Sequence, residues 1–146
     1  MTVTFEGVTP ILSVRNLEAS IDHYVRVLGF ALDWQHPGIF ASVSRGRCHV
    51  FLCEGDQGHA GTWVWIGVSD AEALFAEYEK SGAKIRQGPT NHTWALEIQV
   101  EDLDGHVIRF GSDSKPDRPL GPWLDMHGRK WDKPPEGGWK RVPEGS

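Results

Sequence analysis

Apolar residues recur along this chain in two rhythms, one of strands and one of helices, and the sequence of rhythms occurs twice. The clearest stretch is Trp94 to Phe110. Trp94, Leu96, Ile98 and Val100 alternate with Ala95, Glu97, Gln99 and Glu101, the period of a strand with one apolar face. Asp104-Gly105 marks a tight turn, because glycine accepts the positive φ such connections need, and Val107, Ile108, Arg109 and Phe110 resume as a second strand. Pairing across that turn places Glu97 near Arg109 and Gln99 near Val107, opposite the face of Leu96 and Ile98. This polar face is either washed by solvent or lines a pocket. Trp94 groups with Leu96 as core.

Earlier in the chain, Val8 to Val14 predicts a short strand with Pro10 near its start or on an edge. Asn16 caps a helix whose stripe is Leu17, Ile21, Tyr24, Val25 and Leu28, closed by Gly29. Strands at 30–35, 39–44 and 48–53 follow, separated by His36-Pro37-Gly38 and Arg45-Gly46-Arg47, and a Gly-rich polar loop spans 54–61. The pattern then restarts. Strand 62–68 leads into Ser69-Asp-Ala-Glu72, a capping box, and a helix with stripe Ala71, Leu74, Phe75 and Tyr78 that ends at Ser81-Gly82. A short strand 83–86 precedes the 94–110 hairpin. Val14 corresponds to Val68 and Gly29 to Gly82, an offset of about 54 residues, which indicates internal duplication. The expected fold class is α+β: two tandem βαβββ units forming a curved mixed sheet, helices outside and a concave groove inside. The units span about 6–54 and 61–112 of a single domain, 1–112, and 113–146 is a Pro/Gly/Trp-rich C-terminal extension. Because it keeps Trp123, Trp131 and Trp139, the part near 121–131 is expected to pack on the body or on a second subunit, with the last residues fraying.

Composition narrows the function. A formal net charge of −5 argues against a nucleic-acid partner and agrees with a neutral or cationic ligand or simply with solubility. Seven Trp among 146 residues is the oddity, since indoles are favoured where flat apolar groups are gripped. Cys48 and Cys53, five apart on one expected strand, point to opposite faces and form no internal bridge. Neither a basic, apolar leader nor a membrane-length apolar run is seen, so a reduced, cytoplasmic protein without a membrane partner is expected, and the Asn91-His-Thr93 sequon carries no weight.

Three stretches carry a family resemblance: Val14-Arg-Asn-Leu-Glu-Ala-Ser-Ile-Asp-His-Tyr-Val-Arg-Val-Leu-Gly-Phe30, Ile66-Gly-Val-Ser-Asp70 and Val100-Glu-Asp-Leu-Asp-Gly-His-Val-Ile-Arg109. In order and spacing, over roughly 6–112, they resemble the vicinal oxygen chelate superfamily of glyoxalase I, extradiol dioxygenases, and fosfomycin- and bleomycin-resistance proteins. The resemblance implies the duplicated fold but leaves the chemistry open. Enzymes of that family hold a divalent metal at four strand positions, which here fall at Thr9, at His49 or Val50, at Trp63 and at Arg109. A guanidinium has no lone pair to offer, so no family-type metal and no other cofactor is expected. What remains resembles the bleomycin-resistance branch, which implies a homodimer whose grooves sequester a planar, cationic small molecule. It also implies, in some members, exchange of an amino-terminal strand beside a proline, a place comparable to Pro10.

The candidate ligand-binding residues are Trp63, Trp65, Trp34, Phe40, His49, Phe51, Glu97, Gln99 and Arg109, with no catalytic residue among them. Trp63 and Trp65 share the face opposite Val64, Ile66 and Val68 and either grip a ligand or fill the groove as packing. Trp34 and Phe40 extend that lining or pack within their sheet. His49 and Phe51 share a face, and a lone histidine is commonly structural. Glu97 and Arg109 form an ion pair that replaces the lost metal or meets a charged ligand. Two rival functions stay open: a lyase or dioxygenase with displaced ligands, and an interaction module whose groove is filled by the tail.

Overall fold

In the computed structural model, residues 2–134 and 136–144 are described. Two four-stranded mixed sheets carry the duplication. The first, ordered β1-β4-β3-β2, comprises β1 (Ile11–Ser13), β2 (Ala31–His36), β3 (Phe40–Arg45) and β4 (Cys48–Cys53). The second, β5-β8-β7-β6, comprises β5 (Trp63–Gly67), β6 (Lys84–Asn91), β7 (Leu96–Glu101) and β8 (Val107–Ser112). In each, the opening strand runs parallel to the last, and the other pairs are antiparallel. The two halves repeat down to single bonds. Val14 N–H donates to Cys53 O at 2.9 Å and Val68 N–H to Gly111 O at 2.8 Å.

Both helices begin on a side-chain cap. Asn16 accepts from Ala19 N ahead of α1 (Leu17–Arg26), and Asp70 accepts from Ala73 N ahead of α2 (Ala71–Ser81). The capping box expected from Ser69 to Glu72 therefore does not form, since with Asp70 as the cap the third helical residue is Ala73. Asp70 supplies the cap, while Glu72 turns outward to Arg118 at 2.7 Å. Gly29 and Gly82 leave the helices at φ 78° and 83°, in the region that favours glycine. Each helix fastens to the other unit. Tyr24 and Ser20 donate to Asp102 and Asp104, whereas Tyr78 and Ser81 donate to the carbonyls of Leu28 and Val27. One continuous core results, from Leu12, Tyr24, Val43 and Leu52 through to Tyr78, Ile98, Ile108 and Phe110.

Four expectations are corrected. The first strand starts at Ile11 rather than Val8, and Val3, Phe5 and Val8 are 79–94% exposed on an unpaired arm. The strand expected at 83–86 runs on to Asn91, because two bulges let it follow β7 past Pro89 on the sheet edge. The hairpin register is shifted: Gln99, not Glu97, lies opposite Arg109, and Glu101 opposite Val107. The connection is longer than a two-residue turn because Asp102 accepts from both Asp104 N and His106 N. Trp94 is not core. Residues 92–95 form a closed turn (His92 N to Ala95 O, 2.8 Å) before β7 begins, so strand alternation does not reach it and it is 43% exposed.

Past Ser112 the chain returns over the second sheet and makes a small sheet of β9 (Trp123–Leu124), β10 (Lys130–Asp132) and β11 (Lys140–Arg141). The expected packing of 121–131 is on the body of the same chain. Of the terminal stretch expected to fray, residues 145 and 146 lie outside the described residues, and β11 is paired. No described helix is long and apolar enough to cross a membrane.

Candidate functional site

The nine candidate residues fall into two groups on different sheets. On the first sheet, strand alternation turns Ala41, Val43, Val50 and Leu52 into the core, leaving Phe40 and Ser42 of β3 and His49 and Phe51 of β4 on the opposite face. A bulge between Leu32 and Trp34 brings Trp34 to the same face. The rings of Trp34, Phe40 and Phe51 form a triad with centroids 5.3–5.9 Å apart, and Trp34 and Phe40 are nearly parallel at 15°. Trp34 is 45% exposed. Beside the triad, Asp33 accepts from Ser44 at 2.7 Å and Ser42 at 2.8 Å, with His49 Nδ1 at 3.3 Å. The Ser44 and Ser42 hydroxyls hold its carboxyl below its ordinary range, so it is an anion next to an aromatic surface.

On the second sheet, Glu97 is the hub. Both its oxygens accept from Arg109, at 2.9 and 3.0 Å, and Oε2 also accepts from the indole N–H of Trp65 and Trp94. Burial alone would raise this carboxyl. The hydrogen bonds from Arg109, Trp65 and Trp94 and the Arg109 charge outweigh burial and leave it lowered. Trp65 lies across Gly111, where an added Cβ would come within 2.6 Å of the ring. That bare backbone is what admits the indole.

Of the two readings for Trp34 and Phe40, the contacts are those of packing within their own sheet, with Phe51. Trp63 meets Trp123 and the Arg86 guanidinium rather than Trp34 or Phe40. The two groups approach only at their edges, where His49 and Trp65 line a cleft of about 560 Å³ between β4 and β5, bordered by residues 6–10 of the arm. Of the positions that the family resemblance implies for metal ligands, Thr9, His49 or Val50, Trp63 and Arg109, His49 alone carries an imidazole, thiolate or carboxylate donor. Arg109 stands where a carboxylate is needed and occupies the nearby Glu97, and no group of three or more His, Cys, Asp or Glu side chains is placed to hold an ion among the described residues. These residues do not fit a family-type metal.

Sequence reasoning missed several participants. Asp33 is brought to the aromatic face by the bulge. Arg86, the last residue of the strand expected at 83–86, sits at the bulge between Ile85 and Gln87 and donates to Gln99 and to Asp125 O. The C-terminal segment docks on this face: Gln99 donates to Leu124 O, Gln87 to Pro122 O, and the Trp123 ring lies 4.5 Å from the Arg109 guanidinium. His92, 4% exposed, stacks on Trp94 at 4.5 Å, and its Nε2 has no partner. Burial pushes its imidazole below its ordinary 6.5, against the pull of Glu97 and with the push of Arg109. The unfolded chain therefore protonates His92 first. This group costs nothing above pH 6.5, and the fold loses stability as pH falls from there through the lowered value. In urea unfolding between pH 7.5 and 5, the His92→Phe variant should lose this part of the pH dependence; an unchanged slope would refute the assignment.

The sequence model described as the Glyoxalase/Bleomycin resistance protein/Dioxygenase superfamily matches residues 7–110. Among solved structures, TioX from Micromonospora sp. ML1 is similar at 26% identity and TM-score 0.65, over 74% of this chain and 98% of that one. The bleomycin-binding protein of bleomycin-producing Streptomyces verticillus, complexed with copper(II)-bleomycin, is similar at 24% identity and TM-score 0.62, over 78% and 100%. A bleomycin resistance determinant encoded on the transposon Tn5 is similar at 17% identity and TM-score 0.65, over 75% and 98%. No curated protein matches the chain.

Proposed function

Because this chain belongs to the glyoxalase/bleomycin resistance protein/dioxygenase superfamily, we propose that it is a metal-free small-molecule binding protein that sequesters a planar, cationic ligand. The observation that carries this is the Trp34–Phe40–Phe51 triad, an uncovered aromatic face with the Asp33 carboxylate beside it. Such a surface supplies stacking and charge attraction and needs no catalytic group. Two proteins of the same fold are described as complexed with copper(II)-bleomycin and with bleomycin, which supports a ligand of that shape. Residues 1–112 are the binding domain in this proposal and 113–146 an appended cover. The working unit is a homodimer in the cytoplasm. Support comes from the apolar arm, where Val3, Phe5 and Val8 are 79–94% exposed, a surface that a second copy would bury.

A second function for part of the site is favoured by one observation: Trp123 lies on Arg109 as a ligand ring would. Trp63, Trp65, Glu97, Gln99 and Arg109 then hold the chain's own tail, and Trp34, Phe40, Phe51 and His49 contact the small molecule. The test is a titration with metal-free bleomycin followed by tryptophan fluorescence and calorimetry at low and moderate salt. Saturable binding that weakens with salt is expected. Trp34→Ala should weaken it about tenfold, the scale of a central aromatic anchor. Absence of saturable binding removes bleomycin as a ligand, and full affinity in Trp34→Ala removes the triad as its site.

A further inference from the structure

The C-terminal sheet presents an aromatic surface that the ligand groove does not use. Trp94 lies 6.3 Å from Trp123 and 5.9 Å from Trp139, and Trp123 is the register partner of Trp131 across β9 and β10. Trp123, Trp131, Trp139 and Asp125 line an open cleft of about 500 Å³. The protein already stations one cation on these rings, since Arg109 sits over Trp123. An indole whose N–H donates to a carboxylate gains electron density in its ring, which deepens the negative face that attracts cations. Trp131 donates in this way to Asp125 Oδ2 at 2.9 Å, and Trp94 to Glu97 Oε2 at 2.7 Å.

The hydrogen-bonding inventory selects among cations. Asp125 Oδ1 accepts from the backbone N–H of His127 and Arg129, and Oδ2 from Arg129 Nε and Trp131 Nε1. A carboxylate has roughly four lone-pair sites, so this one is saturated. Burial opposes its ionisation, but these donors outweigh burial and hold it far below the usual carboxylate range. A primary ammonium entering the cleft would shed water from its N–H groups without finding an acceptor on Asp125. A fully methylated ammonium has no N–H to satisfy, and its methyl groups fit apolar ring walls.

We propose that the cleft among Trp123, Trp131 and Trp139 binds a quaternary ammonium cation. The site is separate from the aromatic triad of the first sheet and does not depend on the function assigned to that triad.

The full chain is titrated with choline, its neutral isostere 3,3-dimethylbutan-1-ol, and ethanolamine, followed by intrinsic fluorescence and calorimetry. Choline is expected to saturate one site per chain and to bind about tenfold tighter than either analogue, one decade in the dissociation constant. Trp139→Leu, which keeps apolar surface and removes the ring, is expected to weaken choline about fivefold or more. Equal affinity for choline and the neutral isostere overturns the proposal, as does failure of choline to saturate below about 100 mM. A choline signal lost in Trp34→Ala but kept in Trp139→Leu also overturns it, by placing the cation in the groove. Bleomycin binding measured on the same preparation reports on the groove independently.

Discussion

Replacing Glu97 by Ala is expected to destabilise the fold by about 3–5 kcal/mol, the scale seen when one partner of a buried ion pair is removed. Glu97 is 2% exposed and serves four donor groups from three side chains, Arg109, Trp65 and Trp94. Without it the Arg109 guanidinium stays under the tail with no counter-charge, and two indole N–H groups lose their acceptor. At this chain length the loss corresponds to a fall in Tm of roughly 10 °C or more. The control is the pair Glu97→Leu with Arg109→Met. Removing both charges together should recover much of the stability, because an apolar pair of similar volume carries no desolvation cost. Urea unfolding of the two single variants and the double variant measures the coupling. Strict additivity of the single effects would show that no ion pair stabilises this face.

The second large effect is expected at Trp123. Its ring bridges Trp63, Trp94, His92 and Arg109, and so fastens the C-terminal segment to the second sheet. Trp123→Ala removes a half-buried indole together with its cation–π contact, a loss of about 2 kcal/mol in docking. The open fraction of the segment then rises about thirtyfold. Limited proteolysis and amide exchange across residues 113–144 should rise by that factor, while β7 and β8 stay protected. Unchanged protection in Trp123→Ala would mean that the hydrogen bonds from Arg86, Gln87 and Gln99 to the segment's carbonyls hold it without the ring.

Together these contacts divide the duplicated fold into two unlike halves. The first sheet leaves its aromatic face open. The second turns its polar face into a seat for the chain's own tail, with the Glu97–Arg109 pair beneath Trp123. The same duplication thus presents two unlike surfaces, because each half carries different side chains at matching positions.

Much of this was legible in the sequence. Strand and helix periods are local properties, so Leu96-Ile98-Val100, the Asn16 cap, and the matched Val14/Val68 and Gly29/Gly82 pairs gave the α+β duplication. The Glu97–Arg109 pair was legible because alternation puts both residues on one face, and a two-residue slip in register still leaves them diagonal neighbours within reach. Only the tertiary structure decided the rest. Asp33 and Trp34 share a face through a bulge, which adds one residue and leaves no mark in the period. Trp94 leaves the core because a turn, not a strand, carries it. Trp123 meets Arg109 although loop and strand separate them in the chain. Contacts of that kind depend on where a non-periodic segment docks, and periodicity encodes the elements while leaving their docking to packing.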